Sequence, residues 1–183
     1  MAVENRLYTV EEFEQFIAQA ENEDRLFELI DGELVEKMPT REHGIIAADF
    51  ATDINIYLRQ NPIGRVAVEA RHRPIGDEHN DRLPDVSVVL DINKPVEREG
   101  AALYMPDLAV EIKSPNDSLK KMRAKTRYYL ANGTRIVWLA LPDQRVIEVY
   151  TLDDEYVVGE GEFLNGGDVL PNFTLAVSSV FRV

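Results

Sequence analysis

Cysteine is absent from the 183 residues. That excludes disulfides and thiolate metal sites, and it fits a reducing compartment without requiring one. No apolar run approaches the roughly 18 residues needed to cross a bilayer, so a membrane-spanning role is not expected. Basic charge is in deficit: 20 Lys and Arg stand against 33 Asp and Glu, a formal net charge of −13. Such a surplus of acid repels a polyanion at long range. Tryptophan occurs only once, which leaves little from which to build the aromatic platforms of a sugar site. The opening stretch MAVENRLYTVEEFEQF lacks the basic-then-apolar layout of a secretion signal. A soluble, cytoplasmic protein is the expectation. With 45% hydrophobic residues, the chain can bury a sizeable core as a single domain spanning residues 1–183.

What basic charge there is clusters. The stretch from Leu119 to Arg135 carries Lys120, Lys121, Arg123, Lys125, Arg127 and Arg135 and no acid. A solvated helix face and a site for a polyanion explain this equally well.

Apolar spacing gives the elements. Thr9 and Glu12 make a capping box for a helix to about Ala20, with Phe13, Phe16 and Ile17 at helical spacing. Asp31-Gly32 joins two extended runs, Arg25 to Ile30 and Glu33 to Met38, as a two-residue hairpin. A second helix is expected from Thr40 to about Gln60, closed by Pro62 and Gly64. A strand follows at Arg65 to Ala70, then a polar, turn-rich stretch from Arg71 to Arg82. That stretch holds His72 and His79 among acids, but no spacing in it matches a metal site, and it reads as a mobile loop. Further strands are expected at Pro84–Leu90, Leu108–Lys113, Ile136–Leu141, Arg145–Thr151 and Tyr156–Val158. The basic stretch, capped by Asp117 or Ser118 and ended at Gly133, would be a helical crossover between parallel strands. The tail ends on an apolar group, Val177, Val180 and Phe181, expected to pack on the domain or on a second subunit.

The chemistry concentrates in PDLAVEIKS, residues 106–114. Side chains alternate along a strand, so Glu111 and Lys113 share one face with the small Ala109, and Leu108, Val110 and Ile112 take the other. Two ionisable groups in mid-strand are costly to bury without partners or a metal. Asp85 opens the upstream strand. If the two strands run antiparallel, Asp85 and Glu111 reach the same edge of the sheet. Two carboxylates suit Mg²⁺ or Mn²⁺, with waters and a phosphate completing the shell.

The pattern Pro84-Asp85 followed by Glu111-Ile112-Lys113 resembles the PD-(D/E)XK nuclease superfamily. The resemblance narrows to its Uma2 family, also called DUF820, through FELIDGE at 27–33, His43-Gly44, LPDVSVV at 83–89 and PDLAVEIKSP at 106–115. Lys125 with Tyr128 or Tyr129, Val137-Trp138-Leu139 and GDVLPNF at 167–173 extend it over nearly the whole chain. It implies a restriction-endonuclease-like α/β fold, a central mixed sheet flanked by helices. It implies a Mg²⁺- or Mn²⁺-dependent endonuclease acting on DNA, with Asp85, Glu111 and the Ile112 carbonyl as ligands and Lys113 beside the attacking water. It further implies that Glu28 completes the acidic set, that Lys125 leans over the carboxylates, that His43 lies near a phosphate or water, and that the protein is a homodimer.

Two other readings compete. A non-catalytic relative that keeps the fold fits the acidic net charge, but the acids and the lysine are all present. A carboxylate-pair glycosidase is disfavoured by the lysine on the strand face and the single tryptophan.

Overall fold

The computed structural model of the protein describes residues 6–182. They gather into two compact units interleaved along the chain. One comprises residues 6–38, Arg71–Leu83 and Glu97–Tyr104, and the other Pro39–Ala70, Pro84–Val96 and residues 105–182.

In the first unit, helix α1 (Val10–Ile17) has the expected capping box: the Glu12 N–H donates to Thr9 Oγ1, and the Glu12 carboxylate accepts from the Thr9 N–H. The helix stops at Ile17, short of Ala20. The Asn22 amide takes the Phe16 carbonyl at 2.9 Å, and the acids Glu21, Glu23 and Asp24 are poor company for the negative end of a helix. Strands β1 (Leu26–Ile30) and β2 (Glu33–Lys37) pair antiparallel around Asp31 and Gly32. Both turn residues have positive φ, 51° and 83°, as a twist-matched two-residue hairpin turn demands. Phe13, Phe27 and Leu29 form the core. The stretch read as a mobile loop is built into this unit. His72, Asp81 and Arg82 are buried, Asp81 bridges Leu29, and Arg71 donates to Asp81 at 2.7 Å and to Glu14 at 2.8 Å. Burying Asp81 pushes its carboxyl above the ordinary range despite Arg71 and Arg73 beside it.

The second unit is built on a six-stranded mixed sheet ordered β3 (Gly64–Val68), β4 (Val86–Leu90), β5 (Leu108–Ile112), β6 (Ile136–Leu141), β7 (Val146–Tyr150) and β8 (Glu155–Gly159). Every pairing is antiparallel except β5 with β6, which is parallel. A parallel pair needs a crossover, and helix α3 (Leu119–Ala131) supplies it, capped by Ser118 and followed by Gly133 at φ 107°. Helix α2 (Arg41–Gln60), capped by Thr40, packs Ile46, Phe50 and Ile54 on one sheet face with Leu108, Val110 and Ile112 of β5. On the other face Ala109 lies with Met122 and Tyr129 of α3. The alternation expected along β5 is therefore the observed one.

The tail forms elements that its composition did not announce. Strands β9 (Phe163–Gly166) and β10 (Leu170–Ala176) make a separate hairpin, followed by the one-turn helix α4 (Val177–Val180). Val177, Val180 and Phe181 enter the same core cluster as Trp138, which lies against Phe50 and stacks on Phe173. No helix among the described residues is long and apolar enough to cross a membrane.

Candidate active site

Asp85 precedes β4 by one residue. The register Val86↔Val110 between β4 and β5, continued by one residue, brings Asp85 level with Glu111. The antiparallel pairing on which the acidic cluster depended is thus present. Asp85 Oδ2 accepts the Ile112 N–H at 2.7 Å and lies 3.0 Å from His43 Nε2. Asp85 is 1% exposed and His43 6%. His43 stands in the first turn of α2, where its backbone N–H donates to Thr40 Oγ1 at 3.2 Å. The capping geometry that starts the helix therefore also orients the imidazole towards Asp85.

Glu111 lies under α3. Lys125 Nζ lies 2.8 Å from Oε1 and 2.9 Å from Oε2, and the Tyr129 hydroxyl donates to Oε1 at 2.8 Å. Residues four apart are neighbours on a helix, so one face of α3 delivers both donors. A carboxylate only 2% exposed is tolerated because a charge and a hydroxyl meet it. Lys113 shares Glu111's side of the strand but turns elsewhere. Its ammonium donates to the Ser114 carbonyl at 3.1 Å and lies 3.5 Å from Asp143, a residue of the short 3-10 turn Pro142–Gln144. The lysine held on the carboxylate is thus Lys125.

Glu28 belongs to the first unit. It sits in the middle of β1, 3% exposed, and accepts the Leu83 N–H at 2.7 Å. The Leu83 carbonyl in turn accepts from Lys37 at 2.8 Å. Glu28 thereby fixes the backbone two residues upstream of Asp85 in the chain.

Sequence reading did not single out Glu69. A cavity of about 280 Å³ is lined by Thr40, His43, Gly44, Val68, Glu69 and Asp85, so Glu69 brings a second carboxylate to it. Glu69 follows β3 in the left-handed region, φ 49°, and its N–H donates to the Asp85 carbonyl at 3.3 Å. Residues held in sparsely populated backbone conformations collect at functional sites. Nothing in the apolar pattern of the strand marks this position. A second missed device is Glu148 of β7, 5% exposed, gripped by two of the three guanidinium nitrogens of Arg123 and by the Tyr150 hydroxyl. Burial opposes the charge on Glu148, but Arg123 and then Tyr150 outweigh it and hold the carboxyl below its ordinary range.

Two level carboxylates and the nearby Ile112 carbonyl are hard oxygen donors of the kind that divalent cations accept together with retained waters. The donor chemistry therefore fits Mg²⁺ or Mn²⁺, with Lys125 now supplying positive charge at Glu111. Among the described residues, no group of three or more His, Asp or Glu side chains is gathered closely enough to hold a metal ion by itself. His72 and His79 contact the Tyr104 and Tyr8 carbonyls, each in the first unit.

Comparison with known proteins agrees with this architecture. The model of the Uma2 family, described as "Putative restriction endonuclease", matches residues 10–178. Among solved structures, a "putative nuclease belonging to DUF820" from Anabaena variabilis ATCC 29413 is similar at a TM-score of 0.80 and 26% identity. The alignment covers 94% of this chain and 97% of that one. No curated protein matches. A family match over so much of the chain, on a fold shared with a DUF820 protein, places this protein in the Uma2 family.

Proposed function

We propose that the protein is an endonuclease that hydrolyses DNA phosphodiester bonds with the help of Mg²⁺ or Mn²⁺. One observation carries the reading: Asp85 and Glu111 stand level on adjacent antiparallel strands, both buried, with an ammonium group on one of them. Buried acids so placed do little for stability, and perturbable charges gathered in this way are expected at functional sites. The family description and the DUF820 neighbour support the nuclease part of this reading.

Asp85, Glu111 and the Ile112 carbonyl would hold the cation. Such a cation, when bound, supplies Lewis-acid polarisation of the phosphate and lowers the pKa of a coordinated water. The chain's own residues do the rest. The Ile112 N–H and His43 orient Asp85. Tyr129 and Lys125 orient Glu111. Lys125 and Lys113 offer ammonium groups to a phosphate whose charge grows in the transition state. His43 can pass a proton at Nε2, where it faces Asp85. A homodimer would present two such centres, one for each strand. The absence of cysteine fits action in the cytoplasm.

The competing reading, a relative that keeps the fold without catalysis, draws on the net charge of −13 and on Lys125 already neutralising Glu111. Calorimetric titration with Mn²⁺ separates the two. Binding by wild type, weakened about tenfold or more in Asp85→Asn and in Glu111→Gln, is expected if these carboxylates are first-hand ligands. Equal binding by all three proteins, or none by any, would overturn the metal assignment.

A further inference from the structure

The acid-free run from Leu119 to Arg135 divides sharply in the folded chain. Arg123 is committed to Glu148, Lys125 to Glu111, and Arg135 to Asp168. Lys120, Lys121 and Arg127 are exposed, and none of them forms a salt bridge with a described residue. Arg127 borders a concavity that also contains Asp153, Asp154 and Glu155, so its surroundings are mixed in charge. Lys120 and Lys121 are different. They lie in the first turn of α3, which holds no acid, and two cations at the positive end of a helix are unfavourable. In a chain with 33 acids and 20 bases, a placement that costs stability and relieves no acid calls for a ligand.

Topology says where these two lysines point along the sheet. Helix α3 returns from the end of β5 to the start of the parallel β6, so its first turn lies at the end of the sheet where Glu111 and Lys113 emerge. Lys125 touches Glu111. Lys121 is one turn nearer the helix start, about 6 Å along the axis. The acids at this edge are engaged: Asp117 accepts the Ser114 N–H at 2.8 Å, and Asp143 lies 3.5 Å from Lys113. The exposed Ala124 follows Lys120 by one turn and adds no bulk against an approaching strand.

We propose that Lys120 and Lys121 grip backbone phosphates flanking the one to be cleaved, so that the substrate is a polynucleotide strand and not a small phosphodiester. This rests on the nuclease reading above, and it adds the surface that lets an acidic protein hold a polyanion. Neither lysine takes part in bond cleavage.

The test is binding of a fluorescein-labelled DNA duplex, read by anisotropy over a series of salt concentrations, for wild type, the double variant Lys120→Glu/Lys121→Glu and the double variant Lys120→Arg/Lys121→Arg. The glutamate variant should bind about tenfold or more weakly at low salt, with a salt slope smaller by about two. The arginine variant should bind like wild type. Circular dichroism melting should be unchanged in the arginine variant and no lower in the glutamate variant, because acids suit the positive end of a helix. With bis(4-nitrophenyl) phosphate as substrate, the glutamate variant should keep wild-type kcat while its KM for DNA rises. Wild-type affinity and slope in the glutamate variant would overturn the proposal, as would failure of wild type to bind DNA at all. If wild type cleaves DNA and the glutamate variant binds normally, the surface is wrong and the nuclease reading stands. If the glutamate variant loses affinity while no protein cleaves, the surface stands and the nuclease reading falls.

Discussion

Glu111 is central to the proposed chemistry, and its partner was open to two assignments. The strand alternation that puts Lys113 beside it is correct, yet the ammonium within 2.8 Å belongs to Lys125. A long lysine near a strand end can swing away, whereas a residue in mid-helix, fixed one turn from Tyr129, is held. Removing Lys125 leaves a buried carboxylate with a hydroxyl but without its charge, so Lys125→Met should destabilise by about 3–5 kcal/mol. Neutralising the acid in the same protein should recover much of that, through a coupling of about 0.5–3 kcal/mol in the Lys125→Met/Glu111→Gln cycle. Lys113→Met should change stability by no more than about 1 kcal/mol, since its partner Asp143 is 71% exposed. Urea denaturation measures all of these. Strict additivity in the cycle would show that the two groups do not interact in solution.

Among the elements, α3 joins the sheet's two buried acids to one helix. Lys125 meets Glu111 on β5 and Arg123 meets Glu148 on β7, with β6 between them. Glu148 titrates below its ordinary range, so the folded state binds fewer protons than the unfolded chain at moderately acid pH. Its stabilising contribution is therefore fully present above about pH 4.3, the value for an unfolded glutamate, and is lost as pH falls through the lower folded value. The stability difference between wild type and Glu148→Gln should be constant near neutrality and shrink in acid. A gap that widens on acidification would show that the sign is wrong. Helices α1 to α3, the β1–β2 hairpin and the six sheet strands were legible in the sequence because capping residues, Asp31-Gly32 and apolar periodicity are local signals. The Asp85–Glu111 pairing was legible because it needed only two strands and their relative direction. Glu69, Glu148 and the β9–β10 hairpin were not. Their roles depend on register across the sheet and on a fixed backbone angle, and polar residues carry no periodicity that reports either. The stretch 71–82 misled for a related reason: a polar composition describes a buried ion network as well as it describes a loop.

For the whole molecule, the tension is between a net charge of −13 and the polyanionic substrate proposed above. On the proposed reading, long-range repulsion is overcome locally, by a cation at Asp85 and Glu111 and by the exposed lysines at the start of α3. Affinity for DNA should therefore be weak without a divalent cation and fall steeply with salt. The most direct measurement is nicking of supercoiled plasmid by wild type, Asp85→Asn, Glu111→Ala and Lys113→Ala in Mg²⁺, in Mn²⁺ and in EDTA, with folding checked for each. Metal-dependent nicking by wild type, abolished in Asp85→Asn and Glu111→Ala, is the expected result. Nicking that survives EDTA or the loss of either carboxylate, or a wild type that cleaves nothing in either metal, would contradict it.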